Sequence, residues 1–152
     1  MNKLTPKHIA WFLPIAYLIH IFDEYFSSEG FPMWFSGIFK TSLSSNDFII
    51  INSVGISATL IIVILYNFNR VNSFLIATLG TLFFINGLIH LFASVTTLEY
   101  SPGTLTGIVI YLPLGYVVFK KIFQLMPGQQ RGLSIITAIL LQIAVAIIAL
   151  NI

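Results

Sequence analysis

Residues 17–26 read YLIHIFDEYF and place one imidazole and two carboxylates, those of His20, Asp23 and Glu24, inside an otherwise apolar run. Whether that run is a soluble core segment or a membrane span decides the fold, and the rest of the chain argues for the membrane. Of the 152 residues, 57% are hydrophobic and 8% are charged, against roughly 25% charged in soluble domains. A hydrocarbon core about 30 Å thick needs roughly 20 apolar residues per helix, and several segments reach that length. With no Cys in the chain, disulfides and thiolate metal sites are excluded. A formal charge of +2 is too small to argue for nucleic acid.

Working outward, hydropathy and the breakers between runs predict five membrane helices, over residues 8–26, 47–66, 71–95, 104–123 and 133–152. The runs have helix-length apolarity without strand alternation, and lipid offers no partners to an open sheet edge. The expected fold is therefore all-α, an integral membrane bundle of five transmembrane helices in one domain over residues 1–152. The basic start and apolar run of residues 1–19 also fit a signal peptide. No small-x-small cleavage site follows, however, and the run leads directly into HIFDEYF, so it reads as a retained first helix.

Basic residues favour the cytoplasmic ends of spans. An inside N-terminus puts Lys3, Lys7, Arg70, Lys120, Lys121 and Arg131 on the cytoplasmic side and only Lys40 outside, a split of 6 against 1. The expected topology is N-terminus in and C-terminus out, with a prokaryotic plasma membrane, and so the cell membrane, as the simplest location. The segment between the first two spans carries Phe31, Trp34, Phe35 and Phe39. It reads either as an interfacial aromatic anchor or as a cap over a cavity.

On a helix His20, Asp23 and Glu24 share one face, close to the outer end of the first span. Ionisable groups in membrane helices usually face the bundle interior, so three on one face call for a partner. The third span supplies one: Asn86 and His90, in FFINGLIHLFASV, also share a face and lie at a comparable depth. Two more elements reach that level. LEYSPGTLTG turns at Pro102 and Gly103 into the fourth span, where Thr104 or Thr106 caps the helix or points inward. Asn52 lies about one and a half turns inside the second span.

These residues are expected to line one polar cavity. His20, Asp23, Glu24 and His90 are the candidate metal ligands, and two imidazoles with carboxylates suit a divalent transition metal such as zinc or iron. Glu24, His20 and Asp23 are the candidate catalytic groups, as acid, base or holders of an activating metal. Asn52, Asn86, Thr104 and Thr106 are the candidate substrate contacts.

HIFDE resembles the signature of the HXXEE family of small multi-helix membrane proteins, and NGLIH and YSPGTLT resemble that family's further polar blocks. The resemblance runs from about Ala10 to Gly115. It carries over His20 and Glu24 directly, whereas Asp23 stands where the signature has its first Glu, with a shorter reach. It implies a site without naming a reaction.

Three functions compete for such a site. A metal-dependent membrane enzyme would act on an amphiphilic or lipid-like small molecule, with the bilayer as its first partner. A binding or transport protein would move a metal ion, a proton or a small solute. An assembly or immunity partner would use the cluster only to hold helices together. The absence of a chain of ionisable groups toward the cytoplasm weighs against a proton relay, and the absence of an inverted repeat against common transporter designs, while a pore formed by oligomers stays open. Gly80 and Gly87 permit close helix contact, so a homo-oligomer is compatible with the sequence.

Overall fold

The structure is a computed structural model and describes residues 4–152; Lys3, one of the basic residues in the topology reading, lies outside them. Among the described residues it contains six helices and no strand. Five of the helices are long and apolar enough to cross a membrane. Helix α1 covers Pro6–Phe26, and its start is fixed by Thr5, whose hydroxyl accepts from the His8 N–H while the His8 ring accepts from the Thr5 N–H. The short α2 covers Phe31–Phe39 and ends at Lys40 in a left-handed conformation. Helix α3 covers Ser45–Asn67 and starts with a reciprocal Ser44–Asp47 capping box. Helix α4, Ser73–Thr97, is capped by the Asn72 side chain.

The fourth span, α5, runs over Thr104–Leu125 and is irregular. Residues Gly107–Tyr111 form a π-helical turn, closed by the Leu112 N–H donating to the Gly107 carbonyl. Pro113 follows directly and has no N–H with which to continue the normal ladder, which explains the widened turn just before it. The last span, α6, covers Gly128–Leu150. It begins earlier than the predicted 133, because the polar stretch GQQR, with good helix formers in Gln and Arg, extends the apolar helix toward its Pro127 cap.

Helix α4 is central and packs against α3, α5 and α6, while α1 packs against α3 and α5. Their contact is filled by Ile9, Leu13, Val63, Ile76, Phe83, Tyr111 and Val118, all buried. Two glycines let α4 and α5 touch backbone to backbone: a Cβ on Gly87 would stand 2.8 Å from the Gly107 carbonyl oxygen, and one on Gly107 would stand 3.2 Å from the Gly87 Cα. Gly87 is thus used within the chain.

The outward faces are apolar. Phe22, Ile50, Val54, Ile61, Phe92 and Leu140 are all exposed, a distribution that water would not tolerate over so many neighbouring positions and that lipid tails accept. Helix α2 divides its aromatic residues between two roles. Trp34 and Phe35 are buried in a second apolar cluster with Leu43 and Ala149, at the end of the bundle where α1, α4 and α6 terminate, whereas Met33 and Phe39 face outward.

Candidate metal centre

The long spans bring three buried side chains with ligand atoms to one place. His20 and Glu24 are one helical turn apart near the end of α1, and His90 comes from the parallel face of α4. The Glu24 Oε1 lies 3.2 Å from His90 Nε2 and 3.6 Å from His20 Nε2. The three ligand atoms all lie within 4.8 Å of one another, and all three residues are buried. Tetrahedral coordination with bonds of about 2.1 Å separates ligand atoms by about 3.4 Å, so the two distances to Glu24 bracket the value a metal requires. His20, Glu24 and His90 can hold a metal ion.

The start of α5 orients this group. Gly103 has φ +95°, and a Cβ there would meet Glu24 Cγ at 2.8 Å, His20 Cε1 at 2.9 Å and His90 Cε1 at 3.0 Å. Only glycine allows the turn both its left-handed backbone and its close approach to all three ligands. The first turn of α5 has no side-chain cap of its own. Its N–H groups are taken up instead by Tyr100, whose hydroxyl accepts from Leu105 N at 3.2 Å, and by Asp23 of α1, whose Oδ2 accepts from Thr106 N at 3.0 Å.

That cross-helix cap also holds the His20 ring. Asp23 Oδ2 also receives the Thr106 hydroxyl at 2.8 Å, and the same hydroxyl lies 2.7 Å from His20 Nδ1. With its O–H directed to Asp23 or, at 3.3 Å, to the Gly103 carbonyl, the Thr106 oxygen is left to accept from His20 Nδ1–H. Nε2 of His20 is buried without a hydrogen-bond partner. It faces the Glu24 oxygen at 3.6 Å, too far for a hydrogen bond. A buried, unpartnered imidazole nitrogen facing a buried carboxylate oxygen at that distance leaves room for a cation between them. On the other side His90 Nδ1 is held by the fully buried Ser101 hydroxyl at 3.1 Å. Both rings therefore have their Nδ1 engaged and their Nε2 turned to Glu24, the usual arrangement around metal-binding histidines.

The expected polar cavity is instead a closed, packed group. The Tyr111 ring, brought over by the π turn, lies 4.2 Å from the His20 ring, and Phe31 of α2 meets the His90 ring edge-on at 5.6 Å. Aromatic rings occupy the volume that solvent would fill, and Phe31 makes α2 a cap over the group as well as an outward-facing surface.

The remaining candidates separate. Asp23 stands beside the three ligands, with its carboxylate taken up by Thr106 and, at 3.4 Å, by the Tyr100 hydroxyl. Thr106 is in the group's immediate surroundings. Thr104 donates to the Ser101 carbonyl at 2.7 Å and holds the loop. Asn52 is turned to its own helix, donating to the Phe48 carbonyl at 3.0 Å. Asn86 lies one turn before His90, with a buried, unpartnered Oδ1. Ser101, Gly103, Tyr111 and Phe31 were not among the expected site residues. Ser101 had a signal in its position within YSPGTLT.

Fold and site together define an all-helical bundle with membrane-length spans and a buried group of two histidines and one glutamate. The chain belongs to the family described as "Protein of unknown function with HXXEE motif", whose model matches residues 11–118. No curated protein and no solved structure matches the chain. Within the motif, the two acidic positions diverge here: Glu24 joins the histidines, while Asp23 caps α5.

Proposed function

We propose that this chain is an integral membrane protein of one transmembrane domain that carries a divalent metal, zinc or iron, on His20, Glu24 and His90 and uses it on an amphiphilic or lipid-like substrate. The observation that carries this reading is the unpartnered Nε2 of His20 opposite the Glu24 oxygen. Two imidazoles and one carboxylate suit borderline ions better than Mg or Ca, which prefer sets of oxygens. Three ligands leave a further position open, where such a metal supplies Lewis acidity or an activated water. Asp23 acts through Thr106 as a positioning residue that keeps His20 presenting Nε2, and Ser101 does the same for His90.

The surroundings support a substrate with a lipid-borne tail. Between α1 and α3 lies an entirely apolar groove of ≈ 140 Å³, bounded by Phe22, Tyr25 and Phe48 among others. Phe31 packs 6.1 Å from Phe48 on one side and against His90 on the other, so it stands between the groove and the ligands, and a substrate head reaches the metal only when Phe31 moves aside. Transport has less support. Beyond the group the bundle is filled by Leu13, Ile76, Phe83 and Val118, and the buried hydroxyls of Thr78, Thr81 and Ser134 donate to carbonyls of their own helices.

The enzyme reading is tested with wild-type protein in vesicles of total membrane lipid, followed by mass spectrometry of the lipids. The wild type is expected to convert at least one lipid class, and His90→Ala or a chelator is expected to abolish the conversion. Unchanged lipids with a metal-loaded wild type would remove this substrate class.

The orientation is part of the same proposal and rests on the basic residues. A reporter fused after Ile152 is expected to be active only outside the membrane. Activity confined to the cytoplasm would reverse it.

A further inference from the structure

The end of the bundle opposite the histidines has a different chemistry. All five acidic residues, Asp23, Glu24, Glu29, Asp47 and Glu99, belong to the end where α1 and α4 terminate or to the segments joined to it. Lys7, Arg70, Lys120, Lys121 and Arg131 belong to the opposite end, which among the described residues carries no carboxylate. A cleft of ≈ 770 Å³ opens at that end, between the start of α1, the α3–α4 connection and the α5–α6 connection. Its volume is that of a small-molecule site.

The wall of the cleft is suited to an anion. Lys7 and Arg70 both border it. Lys7 is committed in part, since its Nζ donates to the Asn67 carbonyl at 2.9 Å. Arg70 is exposed, and no side-chain partner holds its guanidinium among the described residues. The cleft also receives the start of α4, a 25-residue helix whose dipole is positive there. Tyr66 brings a hydroxyl that shares a long, 3.5 Å contact with the Ser73 hydroxyl. Leu75, Leu125 and Met126 make one side apolar. Two cations, a helix start and the hydroxyls of Tyr66 and Ser73 beside apolar side chains match a phosphate group attached to a lipid.

We propose that this cleft binds the headgroup of an anionic phospholipid, with Arg70 and Lys7 on the phosphate and the acyl chains lying along the apolar side. This site is distinct from the metal centre and rests only on the membrane placement of the bundle. Basic pockets between spans at a membrane surface recognise such headgroups through charge. Phosphate is the shared chemistry of a lipid headgroup and of a free anion, and the position of the cleft at the end of apolar spans favours the lipid.

Native mass spectrometry of the full chain, released from nanodiscs containing phosphatidylglycerol and phosphatidylcholine, tests the assignment. Retained phosphatidylglycerol is expected in preference to phosphatidylcholine. Arg70→Gln is expected to lower its retention about fivefold, the equivalent of about 1 kcal/mol per charge at a membrane surface. Gln130→Glu, which puts a like charge into the cleft, is expected to act in the same direction, so the test survives poor folding of either variant. Lys121→Gln, at the same end but outside the cleft, is expected to leave retention unchanged, and metal content is expected to stay at the wild-type level in all three. Equal retention of both lipids, or a Lys121→Gln effect as large as that of Arg70→Gln, would overturn the site. Saturable binding of inorganic phosphate that displaces phosphatidylglycerol would assign the cleft to a soluble anion and overturn the lipid assignment.

Discussion

Gly103→Ala is expected to empty the metal centre and to lower the stability of the bundle by about 2 to 5 kcal/mol, the sum of about 1–2 for a left-handed alanine and about 1–3 for overpacking. Its φ of +95° is one that side chains rarely adopt, and the new methyl would stand 3.0 Å or less from atoms of Glu24, His20 and His90. Relief requires the loop to retreat, and the loop carries Ser101, the Nδ1 partner of His90. Ligand geometry and ring orientation are therefore lost together. Gly132→Ala is the control: nothing lies within 4 Å of a Cβ there, and alanine in a helix is worth about 0.5–1 kcal/mol over glycine. Metal content and thermal melting in detergent measure both variants. A Gly103→Ala protein with full metal and an unchanged melt would mean that the loop does not shape the site.

Glu24→Gln separates a metal centre from a hydrogen-bond network. The amide keeps the shape of the side chain and removes the one anionic ligand between the two imidazoles. Loss of an outer-shell partner costs about 10–100-fold in metal affinity, so loss of this direct ligand is expected to exceed about 100-fold. Folding has a different dependence. The amide oxygen can still accept a hydrogen bond from His90 Nε2, which lies 3.2 Å from Glu24 Oε1 in the wild type, so the metal-free variant is expected to melt close to the metal-free wild type. If Glu24 instead served only to tie α1 to α4, the variant would melt lower and metal would have no part in the difference. Equilibrium metal titration and melting with and without chelator read the two effects separately.

Much of this arrangement was readable along the chain. The five apolar runs announce their spans because membrane-length helices need no distant partner to be recognised, and predicted and observed ends differ by a few residues except at α6. His20 with Glu24 shares a helix face by spacing alone, and His90 is brought to them because α1 and α4 run the same way and end at the same depth. The rest depends on contacts between elements. Asp23 shares a turn with Glu24 and differs from it in the sequence only by its shorter reach; its role as the cap of α5 exists only because Thr106 arrives from another helix. Asn52 faced no such partner and bonded its own backbone. The π turn had a signal in Pro113, but its consequence, Tyr111 placed on His20, is a matter of packing. Helix α2 was too short to be read from hydropathy as a separate element. The closed state of the site reflects aromatic residues filling space, which periodicity does not encode.

The central claim is that His20, Glu24 and His90 hold a metal, and elemental analysis of protein purified without chelators tests it most directly. Wild-type protein is expected to contain about one zinc or iron per chain, following from a single three-ligand group. His90→Ala protein is expected to have lost that metal while keeping its helical content, because the apolar spans sustain the bundle and the ligand sustains only the site. Wild-type protein without stoichiometric metal, together with a His90→Ala protein that fails to fold, would contradict the account and leave the three residues as a structural link between α1 and α4.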